Sequence, residues 1–263
     1  MLDLCQDLNA ECKELADFAL LMDPADWGRA TRFHGWTPWD EVAHLCLLDD
    51  VGHLAATDEK AFAVKAAMLK GRRAAGEEIS AIARTTYAHM AGPQLVAHWL
   101  EVNRQLAGAL SNLDAKARLP WFGPTMSARS FATARLMETW AHGQDIFDLL
   151  SVRRKNSARL KHIAHLGVTT YEWTFKNRGL SAPLPIPYVC LQGPSGEAWS
   201  WGVSSSVDLV TGMAEDFCLV VTKRQHCLDT QLQMMGSAIA WLPLAQCFAG
   251  PPVDSPAPRG KLV

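Results

Sequence analysis

The stretch "ETWAHGQD", Glu138–Asp145, decides how the chain folds. It sets a glutamate, a histidine and an aspartate at 138, 142 and 145, with Phe131 before it and Ile146 and Leu149 at its end. At about 100° per residue on a helix, Glu138 and His142 lie about 40° apart on consecutive turns. Arg135, Asp145 and the three apolar residues fall on the same side. The stripe therefore reads apolar, polar, apolar. The Thr133, Gln144 and Asp148 side reads as the solvated face. A polar island within an apolar stripe faces a core or a pocket, where charges must be paired or bind a metal.

Outward from this helix, which reads from about Ser127 to Leu150, the N-terminal part is helix after helix. Leu4, Leu8, Leu15 and Phe18 give a first helix over roughly residues 2–22. "TPWDE" opens a second, with Thr37 as N-cap, Pro38 at the first helical position and Asp40 completing a capping-box pattern. A third helical region covers roughly 77–111 and restarts at Gly92-Pro93. Four such segments predict a bundle over residues 1–152. Past "SVRRKNS" the character changes. Residues of about 157–178 read as helix, and "SAPLPIPYVCLQGPSGEAWSWGVSSS" as two strands around a Gly-Pro-Ser-Gly turn. "DLVTGMAEDFCLVVTKR" and "LQMMGSAIAWLPLAQCF" read as helices, and the Pro-rich tail "GPPVDSPAPRGKLV" as extended chain. The fold class is thus α+β: a four-helix bundle followed by a small α/β domain over residues 153–263.

Composition narrows the function. A formal charge of −2 and the lack of a long basic run argue against nucleic acid. No apolar stretch reaches membrane-spanning length, and the acidic start "MLDLCQDLNAEC" lacks the pattern of a secretory leader. Seven cysteines without a C-x-x-C pair fit neither a disulfide framework nor a zinc finger. A reduced, cytoplasmic setting is expected. Ten tryptophans supply large apolar surfaces for cores and pockets.

The second helix offers the polar island a partner. His44 shares a side with Leu47, Leu48, Val51 and Ala55. Joined to Glu138 and His142, it would give two imidazoles and a carboxylate. That set suits zinc with an open position, and also iron(II) or nickel. A plainer reading stands beside it: Glu–His pairs at i,i+4 are common on helices, and a single core histidine is usually just hydrogen-bonded. Among the flanking groups, Asp145 is either a partner of His142 or a surface acid. Arg135 is placed to neutralise Glu138. Asp40 is assigned first to the cap and second to orienting His44. The pair His162 and His165 reads as packing, Gly193 and Gly196 as a hairpin turn, and Cys46 points about 200° away from His44.

"WTPWDEVAHL" together with "RLMETWAHGQDIFDLL" resembles the mycothiol-dependent maleylpyruvate isomerase group of the DinB-like metalloprotein superfamily. "GPSGEAWSWG", "VTGMAEDFCLVVTKR" and "QCFAGPP" resemble an uncharacterised metal-binding subgroup of it, so the likeness covers most of the chain. It implies a DinB-like bundle with a divalent metal, usually zinc, on His44, Glu138 and His142. It also implies a low-molecular-weight thiol, mycothiol or glutathione, activated by the metal. A basic residue of the C-terminal domain would hold an acidic substrate. Arg224 is the candidate, with the cation of a solvent-exposed helix end as the competing reading. The tail departs from the subgroup's glycine-rich ending, which puts a substrate contact there in doubt.

The expected protein is therefore a metal-dependent isomerase or transferase, monomeric or homodimeric, acting on a small molecule in a pocket at the domain junction. Trp39, Trp121 or Trp140 would line that pocket. Two rivals are a hydrolase or lyase using metal-bound water, and a non-catalytic metal- or ligand-binding protein.

Overall fold

The computed structural model describes residues 1–259, so the last four residues of the Pro-rich tail lie outside the described part. The chain divides into two units, Met1–Arg153 and a second that begins at Arg154. In the first unit α1 (Leu2–Ala19), α2 (Pro38–Thr57), α3 (Glu59–Ala74), α4 (Ile79–Tyr87), α5 (Gly92–Ser111) and α6 (Ala128–Leu149) follow in order. A short antiparallel ladder of β1 (Arg118–Leu119) and β2 (Met126–Ser127) leads into α6. Helices α1, α2, α5 and α6 pack together as the four-helix bundle. Helices α3 and α4 sit in the connection between α2 and α5, and both pack on α2. The region expected over 77–111, with its restart at Gly92-Pro93, is the pair α4 and α5, whereas α3 was not expected. The apolar stripe of α3 is too thin to announce itself: it buries only Phe62, Ala66 and Leu69.

Two helices position the site. Thr37 caps α2 through a complete capping box, its hydroxyl accepting from the Asp40 amide while Asp40 accepts from the Thr37 amide at 2.8 Å. Beyond that cap α2 is buried on most sides, because α5, α4, α6 and α3 surround it. Gly52 lets α6 come close: a Cβ there would lie 2.9 Å from Cζ of Phe131. Helix α6 is also central, so Thr133 and Gln144 are buried, contrary to the solvated face expected for them, and only Asp148 of that side is exposed. The reason is tertiary. α1, α2 and the β1–β2 ladder cover α6 from several directions.

In the second unit α7 (Leu160–Thr169) and α8 (Tyr171–Lys176) precede a four-stranded sheet of β3 (Tyr188–Gln192), β4 (Ala198–Trp201), β5 (Leu209–Met213) and β6 (Gln233–Met235) in the order β4-β3-β5-β6. The β3–β4 hairpin turns through Gly193–Gly196 as its sequence predicts, with Gly196 at φ +89°. Strand β5 lies parallel to β3 and antiparallel to β6. Helix α9 (Ala214–Val221) follows β5, and α10 (Ala238–Trp241) follows β6. The two C-terminal segments expected as helices are therefore each a strand followed by a helix. Their local sequence suits either period, and strand partners decide it: β3 for β5, and β5 in turn for β6.

Helix α9 ends in a Schellman turn. The Arg224 amide donates to Leu219 O and the Lys223 amide to Val220 O, with Lys223 at φ +62° where glycine is usual. The buried Lys223 ammonium donates to Pro243 O and Ser255 Oγ at 3.0 and 3.1 Å, which ties the tail to the turn. Burial, with Arg178 adding to it, pushes this lysine down to about 8. Its folded pKa lies below its unfolded value of about 10.4. The unfolded chain then holds a proton the folded chain lacks, so this group's contribution becomes more favourable as pH rises through about 8 to 10. Below that window its cost is full. Urea unfolding of wild type and Lys223→Met at neutral and alkaline pH should show the difference moving in favour of wild type at the higher pH. A difference independent of pH would count against this role.

Candidate metal centre

Helices α2 and α6 bring His44, Glu138 and His142 together. Nε2 of His142 is 3.2 Å and Nε2 of His44 is 3.5 Å from Oε2 of Glu138. All three ligand atoms lie within 4.8 Å of one another. Ligands about 2.0–2.1 Å from a tetrahedral zinc are about 3.3 Å apart, so the two spacings at Glu138 match such a site. Both histidines are buried. Burial would raise the Glu138 carboxyl, but the hydrogen bonds and charge of His142 and His44 outweigh it and hold the group well below the usual carboxylate range.

The donor chemistry points the same way. Nδ1 of His142 is 2.7 Å from Oε2 of Glu41, a fully buried carboxylate on α2. A proton on Nδ1 donated to Glu41 leaves the Nε2 lone pair facing the Glu138 carboxylate. Two acceptors at 3.2 Å repel unless a proton or a metal ion lies between them. The buried Nδ1 of His44 meets no hydrogen-bond partner. These residues fit a divalent ion held by His44 Nε2, Glu138 and His142 Nε2.

Above the histidines sits the loop between α1 and α2. The Trp36 ring stacks on His142 at 5.7 Å and 10°, and is tilted against His44 at 5.1 Å. Phe33 meets His142 edge-on at 5.2 Å. The tryptophans expected to line a pocket have these surroundings. Trp39 donates to Met90 O, Trp121 packs on Phe131 and Phe122, and Trp140 is buried in the core.

The other flanking groups divide. Asp145 does lie near His142: its carboxylate, Glu41 and His142 form a second buried group with ligand atoms within 4.8 Å. Arg135 donates from Nε to Asp49 Oδ1 at 2.7 Å, and its charge also acts on Glu138. Asp40 belongs to the cap and to Arg84, which holds its carboxyl low against the effect of burial; orientation of His44 is not its work. Arg224 lies in the second unit at the α9 turn and donates from Nη1 to Thr222 O at 2.9 Å. Glu41 went unread in the sequence. The signal for Glu41 was its place one turn before His44 on the same helix.

The model of the mycothiol maleylpyruvate isomerase N-terminal domain matches residues 8–147, more than half of the chain. The chain belongs to this family. The matched span contains His44, Glu138 and His142. Over 248 residues this family member is 42% identical to the uncharacterized proteins Rv0036c and MT0041 of Mycobacterium tuberculosis strains ATCC 25618 / H37Rv and CDC 1551 / Oshkosh, covering 94% of this chain and 95% of each of them. Among solved structures it resembles the mycothiol-dependent maleylpyruvate isomerase, with a TM-score of 0.53 at 15% identity over 85% of this chain and 90% of that one. A histidine-to-alanine variant of that isomerase matches at a TM-score of 0.52 and 14% identity, with the same coverage. At such identities the likeness is one of fold, and the α+β architecture is shared. No helix among the described residues is long and apolar enough to cross a membrane.

Proposed function

We propose that this family member is a divalent-metal-dependent enzyme that acts on a small, carboxylate-bearing molecule as a thiol-dependent isomerase or S-transferase. The observation that carries the reading is the His44, Glu138 and His142 cluster, whose ligand atoms lie within 4.8 Å of one another, with Nδ1 of His142 held by the buried Glu41. Zinc is the first choice for a donor set of two nitrogens and one oxygen, with nickel and iron(II) as alternatives. The family and the isomerase whose fold it shares support mycothiol or a related thiol as the second cofactor.

When bound, the ion would act as a Lewis acid that lowers the pKa of a thiol beside it. The chain's own residues do the rest. Glu138 and the two imidazoles would hold the ion, Glu41 holds the His142 ring, and Phe33 and Trp36 cover the histidines with apolar surface. A thiolate adds its sulfur to one carbon of an electron-poor double bond, whose π pair moves toward the activating group. The resulting single bond rotates, and the sulfur leaves with its electron pair to restore the double bond in the other geometry. In transfer, the carbanionic carbon takes a proton instead and the sulfur stays.

The test is turnover of an electron-poor olefinic acid, maleylpyruvate as the first probe, by zinc-loaded protein with and without mycothiol or glutathione. Turnover should require both thiol and metal. Turnover indifferent to thiol would replace this reading with metal-dependent hydrolysis or lysis, and tight binding without turnover would replace it with ligand binding.

A further inference from the structure

We infer that Glu41 is the positioning residue that decides which nitrogen of His142 is offered to the metal, and that it ties this choice to the loop covering the site. The inference rests on the metal-centre reading. His142 belongs to two candidate triads, one with His44 and Glu138 and one with Glu41 and Asp145. One imidazole cannot give the same nitrogen to both. The distances separate them. Nδ1 of His142 lies 2.7 Å from Glu41 Oε2, the length of a charge-assisted hydrogen bond and shorter than the spacing of about 3.3 Å between ligands of one zinc. The Glu41 side is therefore the proton side, and Nε2 is the metal side.

The other oxygen of Glu41 faces the loop. Thr31 Oγ1 lies 3.1 Å from Glu41 Oε1. The Thr31 amide donates to Trp36 O at 2.7 Å, and Thr31 Oγ1 accepts from the Phe33 amide at 3.3 Å. Between those anchors the chain turns through His34 and Gly35, at φ +52° and +69°. The same carboxylate thus fixes the His142 ring and pins the turn whose Phe33 and Trp36 rings pack on it. Helix α2 delivers one ligand, His44, and one turn earlier the group that orients the other.

The experiment has two readouts. Zinc titration against a competing chelator should give one ion per chain for wild type, with affinity about 10- to 100-fold weaker in Glu41→Gln. Thr31→Val should show a smaller loss, and it keeps the test open should Glu41→Gln fold poorly. Histidine-ring 1H–15N spectra of metal-free protein in mildly alkaline buffer should show His142 protonated on Nδ1 in wild type. In Glu41→Gln the Nε2–H form should gain population. Zinc affinity within twofold of wild type and an unchanged tautomer would overturn the inference. So would two ions in wild type and one in Glu41→Gln, which would make Glu41 a ligand. A wild type that binds no zinc would fail the metal-centre reading alone, and the tautomer would still decide the role of Glu41.

Discussion

Glu138→Gln and His44→Ala proteins, purified beside wild type, should emerge with far less than one divalent ion per chain and bind zinc more than about 100-fold more weakly. Losing an orienting partner costs metal sites about 10- to 100-fold, and losing a direct ligand should exceed that. Glu138 is the more telling position. It is the carboxylate between two imidazoles, at 3.2 and 3.5 Å, and supplies the negative charge of the triad. Elemental analysis and chelator competition give the numbers. Wild-type stoichiometry and affinity in both variants would show that the triad is a hydrogen-bonded core cluster and no metal centre.

Asp49→Leu should be the most destabilising of the simple substitutions, by about 3–5 kcal/mol. Asp49 is fully buried on α2 and is contacted from three sides. Arg135 Nε donates to it at 2.7 Å, Trp99 Nε1 at 2.9 Å and Asn103 Nδ2 at 3.1 Å. Arg135 is itself buried. Burial alone would lower its pKa, but Asp49 and Glu138 more than compensate and keep it charged. Removing Asp49 strands that charge in the core beside two orphaned donors. The double variant Asp49→Leu with Arg135→Met should recover much of the loss, because replacing a whole buried pair by apolar groups costs far less than breaking it. Urea denaturation of the four proteins closes the cycle. A loss below about 1 kcal/mol in Asp49→Leu would mean that water or another group takes over the pairing.

Much of the fold was legible because it is written in local signals. Thr37, Pro38 and Asp40 mark the start of α2, Gly92-Pro93 restarts α5, and Gly193–Gly196 turns the hairpin. The period of α6 shows Glu138 and His142 on one face. Strand β5 and strand β6 were not legible. Each is a short apolar run that becomes a strand only because β3 and its neighbours offer backbone partners. The buried state of Thr133 and Gln144 was hidden for a related reason: a helix cannot announce how many neighbours will surround it.

The site divides along the same line. Sequence spacing alone determined that one helix presents a glutamate and a histidine on consecutive turns, and that a second helix carries a histidine on an apolar side. Those are properties of a 3.6-residue repeat and need no knowledge of packing. Only the tertiary structure decided that Arg135 makes its short hydrogen bond to Asp49. It alone showed that Asp40 serves Arg84, and that Glu41 holds the far side of the His142 ring under Phe33 and Trp36. A buried charge takes the partner that packing brings within about 3 Å, and that choice is made between helices far apart in the chain.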